Sequence, residues 1–400
     1  MIRAAASRRH VLHLYHGNST AGSCIVRAFR TSTVRLHQRA IVYSKNGDPS
    51  SVLSAVSFPD LPPPAPRTAN VRFLLSPINP ADINVIEGVY PSRPSPSTDL
   101  SSDASAVFVA GNEGVAEVLS VGDGITHLKE KDWVVMTKPQ MGTWVSSRNV
   151  RIEDVLKVDS SGLSAAQAAT LTVNSPTAYN MLHDFVQLKE GDWVVQNGAN
   201  SAVGQAVIQI AASKGVRTIN FIRDRQVRDN VESLKSHLKA LGATHVATYD
   251  ELSDRAFKAT FASWTQGKDV KLGLNCVGGK TTTLMARLLG ENAHLVSYGA
   301  MSKDPLSLPT SLFIFKNLTC HGFWQTRWYD QKTLDERLQM MQTLTGLIRG
   351  GKLDSPEHEI LVIESWESDL DATGKVCTAI ARLASGKYGK KVLLKIEETW

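Results

Sequence analysis

Acidic side chains are missing from the start of this 400-residue chain: the first is Asp48. The same region carries seven arginines, Arg3, Arg8, Arg9, Arg27, Arg30, Arg35 and Arg39, so the formal charge of +6 is concentrated there. Beyond residue 39 the basic and acidic side chains balance, 37 against 38. That balance argues against a nucleic-acid surface, which needs clustered cations. An Arg-rich, Ser/Thr-containing, acid-free start has the composition of a mitochondrial transit peptide. Residues 1–39 are therefore expected to be a leader, cut between Phe29 and Ala40. Cysteine is scarce: Cys24, Cys276, Cys320 and Cys377 form no CxxC pair. Neither a disulfide framework nor a cysteine-built zinc site is indicated. Long apolar runs are also lacking. The longest uncharged stretches, 160–182 and 193–213, are rich in Ser, Thr, Asn and Gln, so no membrane insertion is expected. No internal repeat is visible, and a soluble protein of the mitochondrial matrix is the expectation.

What is present centres on residues 191–225. Trp193-Val194-Val195 reads as a short buried strand, and Gly198 to Gly204 is a loop of small residues. From Gln205 to Ser213, Val207, Ile210 and Ala211 share a helical face, with Gly215 as a stop; Thr218 to Ile222 is a second β-rich run. Strand, turn, helix and strand within about 35 residues form the βαβ unit that seats a pyrophosphate over a helix N-terminus. The loop departs from the usual glycine fingerprint, with Asn200 and Ser201 where bare glycines are common. After the second strand, where NAD-binding units place an acidic ribose ligand, stand Arg223, Asp224 and Arg225. Two guanidiniums suit a 2′-phosphate through paired charge-assisted bonds. NADPH is the cofactor this reading favours, with Asp224 as a ribose ligand the alternative.

Around this unit the chain changes character. Residues 40–173 read as short strands split by turn residues, including Val71–Leu75, Ala110–Val118 and Trp133–Met136, with a Ser/Pro/Asp-rich surface insertion at 92–106. From Asn174, strands and helices alternate, which predicts a doubly wound parallel sheet. A long amphipathic helix is expected over 332–349, a second over 370–383 and a last strand over 392–396.

The segments SPINPADINVIEGVYP (76–91), GNEGVAEV (111–118), NSPTAY (174–179), QNGANSAVGQ (196–205), FIRDR (221–225), LNCVGGK (274–280), YGAM (298–301) and GFW (322–324) stand in an order that resembles the medium-chain dehydrogenase/reductase superfamily. Within it the chain is similar to the mitochondrial trans-2-enoyl-thioester reductases, in their fungal form. The resemblance implies an α/β protein in which a Rossmann domain (175–329) is embraced by a GroES-like β-rich catalytic domain (40–174 and 330–400). Zinc-bearing members use an early cysteine and the histidine of Gly-His-Glu. Here no cysteine lies between Cys24 and Cys276, and Asn112 holds the histidine position, so no metal is expected.

The implied reaction is NADPH-dependent reduction of 2-enoyl thioesters, on acyl carrier protein or CoA, in fatty-acid synthesis. Hydride goes to the β-carbon and a proton to the α-carbon. The resemblance puts the catalytic tyrosine at Tyr90, a phenol that is protonated at neutral pH and able to donate a hydrogen bond or a proton; whether it or water delivers the proton is open. Asn174 would meet the nicotinamide. Asn200, Ser201, Ala202 and Val203 would meet the pyrophosphate, and Arg223, Asp224 and Arg225 the adenosine phosphate. Tyr298, Gly299, Ala300, Met301, Phe323, Trp324 and Gln325 would line the nicotinamide pocket, with Lys390 joining from the tail. A homodimer is implied. The rival readings are a zinc-free NADPH quinone or alkenal reductase and a non-catalytic NADPH-binding regulator.

Overall fold

A computed structural model of the chain describes residues 36–97, 100, 106–224, 228–386 and 389–399. Residues 1–35, the centre of the 92–106 insertion and Arg225 lie outside the described residues. Leu36–Arg39, counted with the leader on composition, are the first half of strand β1 (Leu36–Tyr43). Arg39 belongs there for a physical reason. Its guanidinium is buried, pairs with Asp369 at 3.0 Å and donates to the carbonyls of Glu364 and Glu367.

The β-rich part begins with a small sheet of β1 between β2 (Ser54–Pro59) and the short β4 (Phe108–Val109). A larger sheet is built on β3 (Thr68–Pro77), which pairs antiparallel with β5 (Val115–Val121) and β7 (Ser147–Arg151). β6 (Trp133–Met136) and β8 (Val155–Val158) extend it on one side.

Six parallel strands follow: β9 (Trp193–Gln196), β10 (Arg217–Ile222), β11 (His245–Thr248), β12 (Val270–Asn275), β13 (His294–Ser297) and β14 (Thr319–Gly322). Their spatial order is β11-β10-β9-β12-β13-β14, the doubly wound Rossmann order, with its switch point between β9 and β12. All four residues of β9 are buried, as expected for a central strand covered by helices on both faces. The chain then returns to the larger sheet built on β3, where β15 (His358–Ile363) and β16 (Lys391–Ile396) pair in parallel and β16 adds to β3.

The helix expected from Gln205 starts earlier, at Ala202, because the Ser201 side chain accepts the Gly204 N–H at 3.1 Å and caps it. Helix Leu334–Arg349 buries Met340, Met341, Leu344 and Ile348 in a core cluster shared with Val158, Met181, Val194 and Leu393. That cluster joins the two sheets, and the site lies along it.

Candidate active site

Tyr90 is positioned by the helix before it. Asn79-Pro80-Ala81-Asp82 is a helix start in sequence: Pro80 sits in the first turn, and the Asp82 carboxylate reaches back to the Asn79 N–H at 2.7 Å. The helix Pro80–Glu87 ends at Gly88, whose φ of 81° sends the chain out through Val89 to Tyr90. There the phenol oxygen accepts a hydrogen bond from Trp324 Nε1 at 2.8 Å, and the two rings meet edge to face with centroids 6.0 Å apart. Because the oxygen is an acceptor towards Trp324, its own O–H is directed elsewhere. Burial raises the Tyr90 pKa above 10, the Asp82 charge adds to the rise, and the Trp324 bond opposes it.

Behind Tyr90 lies a buried polar cluster organised on one residue. Asn79 gives its backbone N–H to Asp82 Oδ2 and its Nδ2 to Glu113 Oε2, each at 2.7 Å. Its Oδ1 accepts from Lys391 Nζ and from Asn174 Nδ2, the latter at 3.3 Å. Asn174 Nδ2 is also 3.5 Å from Glu113 Oε2. Burial pushes Asp82 up to about 7, against the Asn79 bond and the Lys391 charge. Glu113 moves the same way, and burial lowers Lys391.

The tail residue in this cluster is Lys391, which corrects the expectation of Lys390. Lys390 lies at the surface, paired with Glu357 at 2.9 Å. Adjacent residues of an extended chain face opposite ways, and Lys391 shares the side of Leu393, which belongs to the inter-sheet core.

At the switch point, the loop after β9 is drawn close to the loop after β12. Gly198 has a φ of +60°, and a Cβ there would come 2.4 Å from Cys276 Sγ. Gly204 is equally close to backbone, with a Cβ position 2.6 Å from the Ala199 carbonyl. At both positions neighbouring protein atoms occupy the place of a side chain, so only glycine fits, and the loop is held close-packed at the switch point where doubly wound sheets bind ligands. Asn200 offers its carbonyl to Gln205 Nε2 at 2.9 Å, while Ala202 and Val203 form the first turn of the helix, partly exposed. The N–H of Gly198 is held by the Tyr249 hydroxyl at 3.0 Å. Tyr249 carries no sequence signal beyond an aromatic after a short strand. Beneath the loops, Gln196, Asn197, Asn220 and Asn275 are fully buried and linked: Gln196 Nε2 to Asn220 Oδ1 is 2.8 Å, and Asn197 Nδ2 to Asn275 Oδ1 is 2.9 Å.

Arg223 and Asp224 follow β10 at the exposed edge of this crevice. Asp224 accepts the Asp250 N–H at 3.0 Å, while Arg223 lies against the Gly386 turn, where a Cβ would be 2.8 Å from its Nη1. The segment after β13 is stitched to the loop after β12 by Tyr298 N to Asn275 O, Met301 N to Cys276 O and Ser302 N to Val277 O, each 2.9 Å. Tyr298 turns inward with its hydroxyl beside Cys276 and Ser201, whereas Gly299, Ala300 and Met301 are exposed. Phe323 packs on Phe185, edge to face at 6.2 Å, and Gln325 is buried, accepting from Asn180 Nδ2 at 3.2 Å.

A dinucleotide crevice beside a buried polar pocket with a phenol at its rim defines a reductase of the medium-chain dehydrogenase/reductase fold. The comparisons sharpen this. A family model described as zinc-binding dehydrogenase matches residues 202–343. The mitochondrial enoyl-[acyl-carrier-protein] reductase of Schizosaccharomyces pombe is 41% identical over 372 residues, 92% of this chain and 97% of that protein. Among solved structures, the mitochondrial 2-enoyl thioester reductase Etr1p/Etr2p heterodimer from Candida tropicalis superposes with a TM-score of 0.82 at 35% identity, over 90% of this chain and 100% of that one. The Etr1p/NADP/crotonyl-CoA complex gives 0.83 at 34%, with the same coverage. The chain belongs to the mitochondrial enoyl-[acyl-carrier-protein] reductases.

The zinc in the family model's description does not fit these residues. Asn112 spends its side-chain oxygen on the Gln140 N–H at 2.7 Å. Among the described residues no group of three or more His, Cys, Asp or Glu is placed to hold a metal.

Proposed function

We propose that this chain reduces trans-2-enoyl thioesters, carried on acyl carrier protein or CoA, with NADPH, in the mitochondrial matrix. The bond from Trp324 to Tyr90 carries the reading. It fixes the phenol oxygen as an acceptor on one side, so that the O–H is free to meet a substrate oxygen. NADPH, when bound, supplies the hydride for the β-carbon. The protein's own part is to bind and to handle charge and protons. Tyr90 donates a hydrogen bond to the thioester oxygen as enolate character develops, the kind of stabilisation that pre-aimed donors provide best. Its raised pKa keeps it protonated at neutral pH for that purpose. Asn174 and Lys391 present polar groups on the nicotinamide side. Asn200, Ser201, Ala202 and Val203 receive the pyrophosphate at the helix N-terminus. Arg223 takes the 2′-phosphate; the engagement of Asp224 with Asp250 favours this over Asp224 as a ribose ligand.

A homodimer is part of the proposal. β14 is the open edge of the parallel sheet. The helix before it, Thr310–Lys316, exposes Phe313, Ile314 and Phe315, the last by 78%. An open edge beside an apolar patch is a surface that soluble proteins cover.

Consumption of NADPH with trans-2-hexenoyl-CoA, run beside a quinone, tests the reading. Oxidation with the enoyl thioester and formation of hexanoyl-CoA are expected. Turnover of the quinone alone would favour the quinone reductase, and binding of NADPH without turnover of either would favour the regulator.

A further inference from the structure

Three ionisable side chains meet on Asn79, and their charges do not balance. Asp82 and Glu113 each accept a hydrogen bond from it at 2.7 Å, and Lys391 donates to its side-chain oxygen. Asp82 and Glu113 are buried, at 1% and 0% exposure. Fully ionised, the group carries two negative charges and one positive, and a lone uncompensated charge in such a place is strongly disfavoured. One added proton makes it neutral.

We propose that Asn79 gathers Asp82, Glu113 and Lys391 into a buried site for one exchangeable proton, kept while the reduced cofactor is bound and released to solvent when the oxidised cofactor takes its place. This rests on the reading above in which Asn174 and Lys391 face the nicotinamide. The oxidised ring bears a positive charge that the reduced ring lacks. Its arrival provides the missing counter-charge, so the cluster ionises and the proton leaves for water. In this way the surroundings of the ring change charge with it, and the oxidised product is held next to a matching negative group.

The groups that face the cluster are few. Lys391 approaches from β16 and Asp82 from helix Pro80–Glu87. Tyr329, on helix Gln325–Gln331, faces Glu113, and Tyr43 of β1 and Tyr90 face Asp82. The tyrosines are all raised by burial, Tyr43 to about 12, so they hold their protons at neutral pH. The exchangeable proton belongs to the carboxylate–ammonium group as a whole.

The test is calorimetric binding of NADPH and of NADP+ to the purified chain at pH 7, in buffers of different ionisation enthalpy, which reads protons released per site. The 2′-phosphate is common to both forms and cancels in the difference. NADP+ should release several tenths of a proton more than NADPH, roughly 0.5 where the cluster is half protonated. The ratio of the two dissociation constants should then shift about threefold per pH unit in favour of NADP+ as pH rises. In Glu113→Gln, whose cluster is neutral without the extra proton, the difference should vanish. Equal release by the two forms in the wild type would overturn the proposal, and so would a difference that survives in Glu113→Gln. If that variant fails to fold, Lys391→Met serves: loss of the ammonium should move the differential release to higher pH, and an unmoved profile would overturn the proposal. If NADPH binds normally but the differential is absent, the cofactor reading stands and this inference falls. If neither form binds, both fall.

Discussion

In the proposed function the indole of Trp324 acts only through its hydrogen bond to Tyr90, and Trp324→Phe isolates that bond. The substitution removes the N–H that reaches the Tyr90 oxygen at 2.8 Å and keeps an aromatic ring near the 6.0 Å edge-to-face contact. A neutral hydrogen bond of this kind has a net worth of about 0.5–1.5 kcal/mol. If all of it serves to aim the phenol, kcat should fall about two- to tenfold, since ~1.4 kcal/mol is tenfold in rate. Tyr90→Phe removes the donor itself and should cost about 100- to 10,000-fold. The double variant separates direct from indirect action. With Trp324 working only through the phenol, Tyr90→Phe/Trp324→Phe is no slower than Tyr90→Phe, and the coupling energy equals the whole effect of Trp324→Phe. The assay is the initial rate of NADPH oxidation at saturating enoyl-CoA, with binding of NADPH measured separately by fluorescence. Two results would refute the reasoning: additive losses in the double variant, or a loss beyond about 100-fold in Trp324→Phe alone. Either would mean that the indole touches the reactants itself.

Other expectations follow from the same geometry. On the proposed reading, in which the guanidinium meets the 2′-phosphate, Arg223→Ala should weaken NADPH binding at least about tenfold while leaving NADH little changed; equal losses for both cofactors would contradict this. Gly198→Ala adds a left-handed alanine and a Cβ 2.4 Å from Cys276 Sγ, and should destabilise the fold by about 2–4 kcal/mol in urea melts. Unchanged stability would show that the loop relaxes freely. Asp82 has a folded pKa raised to about 7 against about 3.9 unfolded. Between these values the folded cluster that Asp82 shares with Glu113 and Lys391 binds the extra proton, so this contribution to stability falls as pH rises from about 4 to about 7 and is flat above. Relative to wild type, Asp82→Asn should therefore gain stability across that window, and a constant difference would count against a raised pKa.

The alternation of strands and helices and the dinucleotide loop are legible in the sequence because their signals are local. A continuous apolar run at Trp193–Val195, small residues from Gly198 to Gly204, and a strand ending in Arg223 each point to one structure. The start of the helix at Ala202 was missed by three residues, since Ser201 was read as a loop residue and not as a cap. Tyr90 stood out only by resemblance, and its partner Trp324 lies 234 positions away. No periodicity reports a hydrogen bond between two loops so distant in sequence. The cluster on Asn79 was hidden for a related reason. Asn79, Glu113, Asn174 and Lys391 come from four separate segments, and apart from Asn174 each reads alone as an ordinary polar residue. Alternation along the last strand does not separate Lys391 from Lys390, because Val392, Leu393 and Leu394 are all apolar although they pack in different clusters. The strand's first residue is the weak point: a surface lysine and a half-buried one look alike until the ion pair to Glu357 is seen.

The most direct test of the central claim is where the two hydrogens go. Trans-2-hexenoyl-CoA would be reduced once with NADPH deuterated at the transferring position of the nicotinamide in ordinary water, and once with unlabelled NADPH in heavy water. The product would then be read by nuclear magnetic resonance. One cofactor-derived deuterium is expected at the β-carbon and one solvent-derived deuterium at the α-carbon, with the α-incorporation slowed in Tyr90→Phe. Cofactor deuterium at the α-carbon, or no solvent deuterium there, would contradict this.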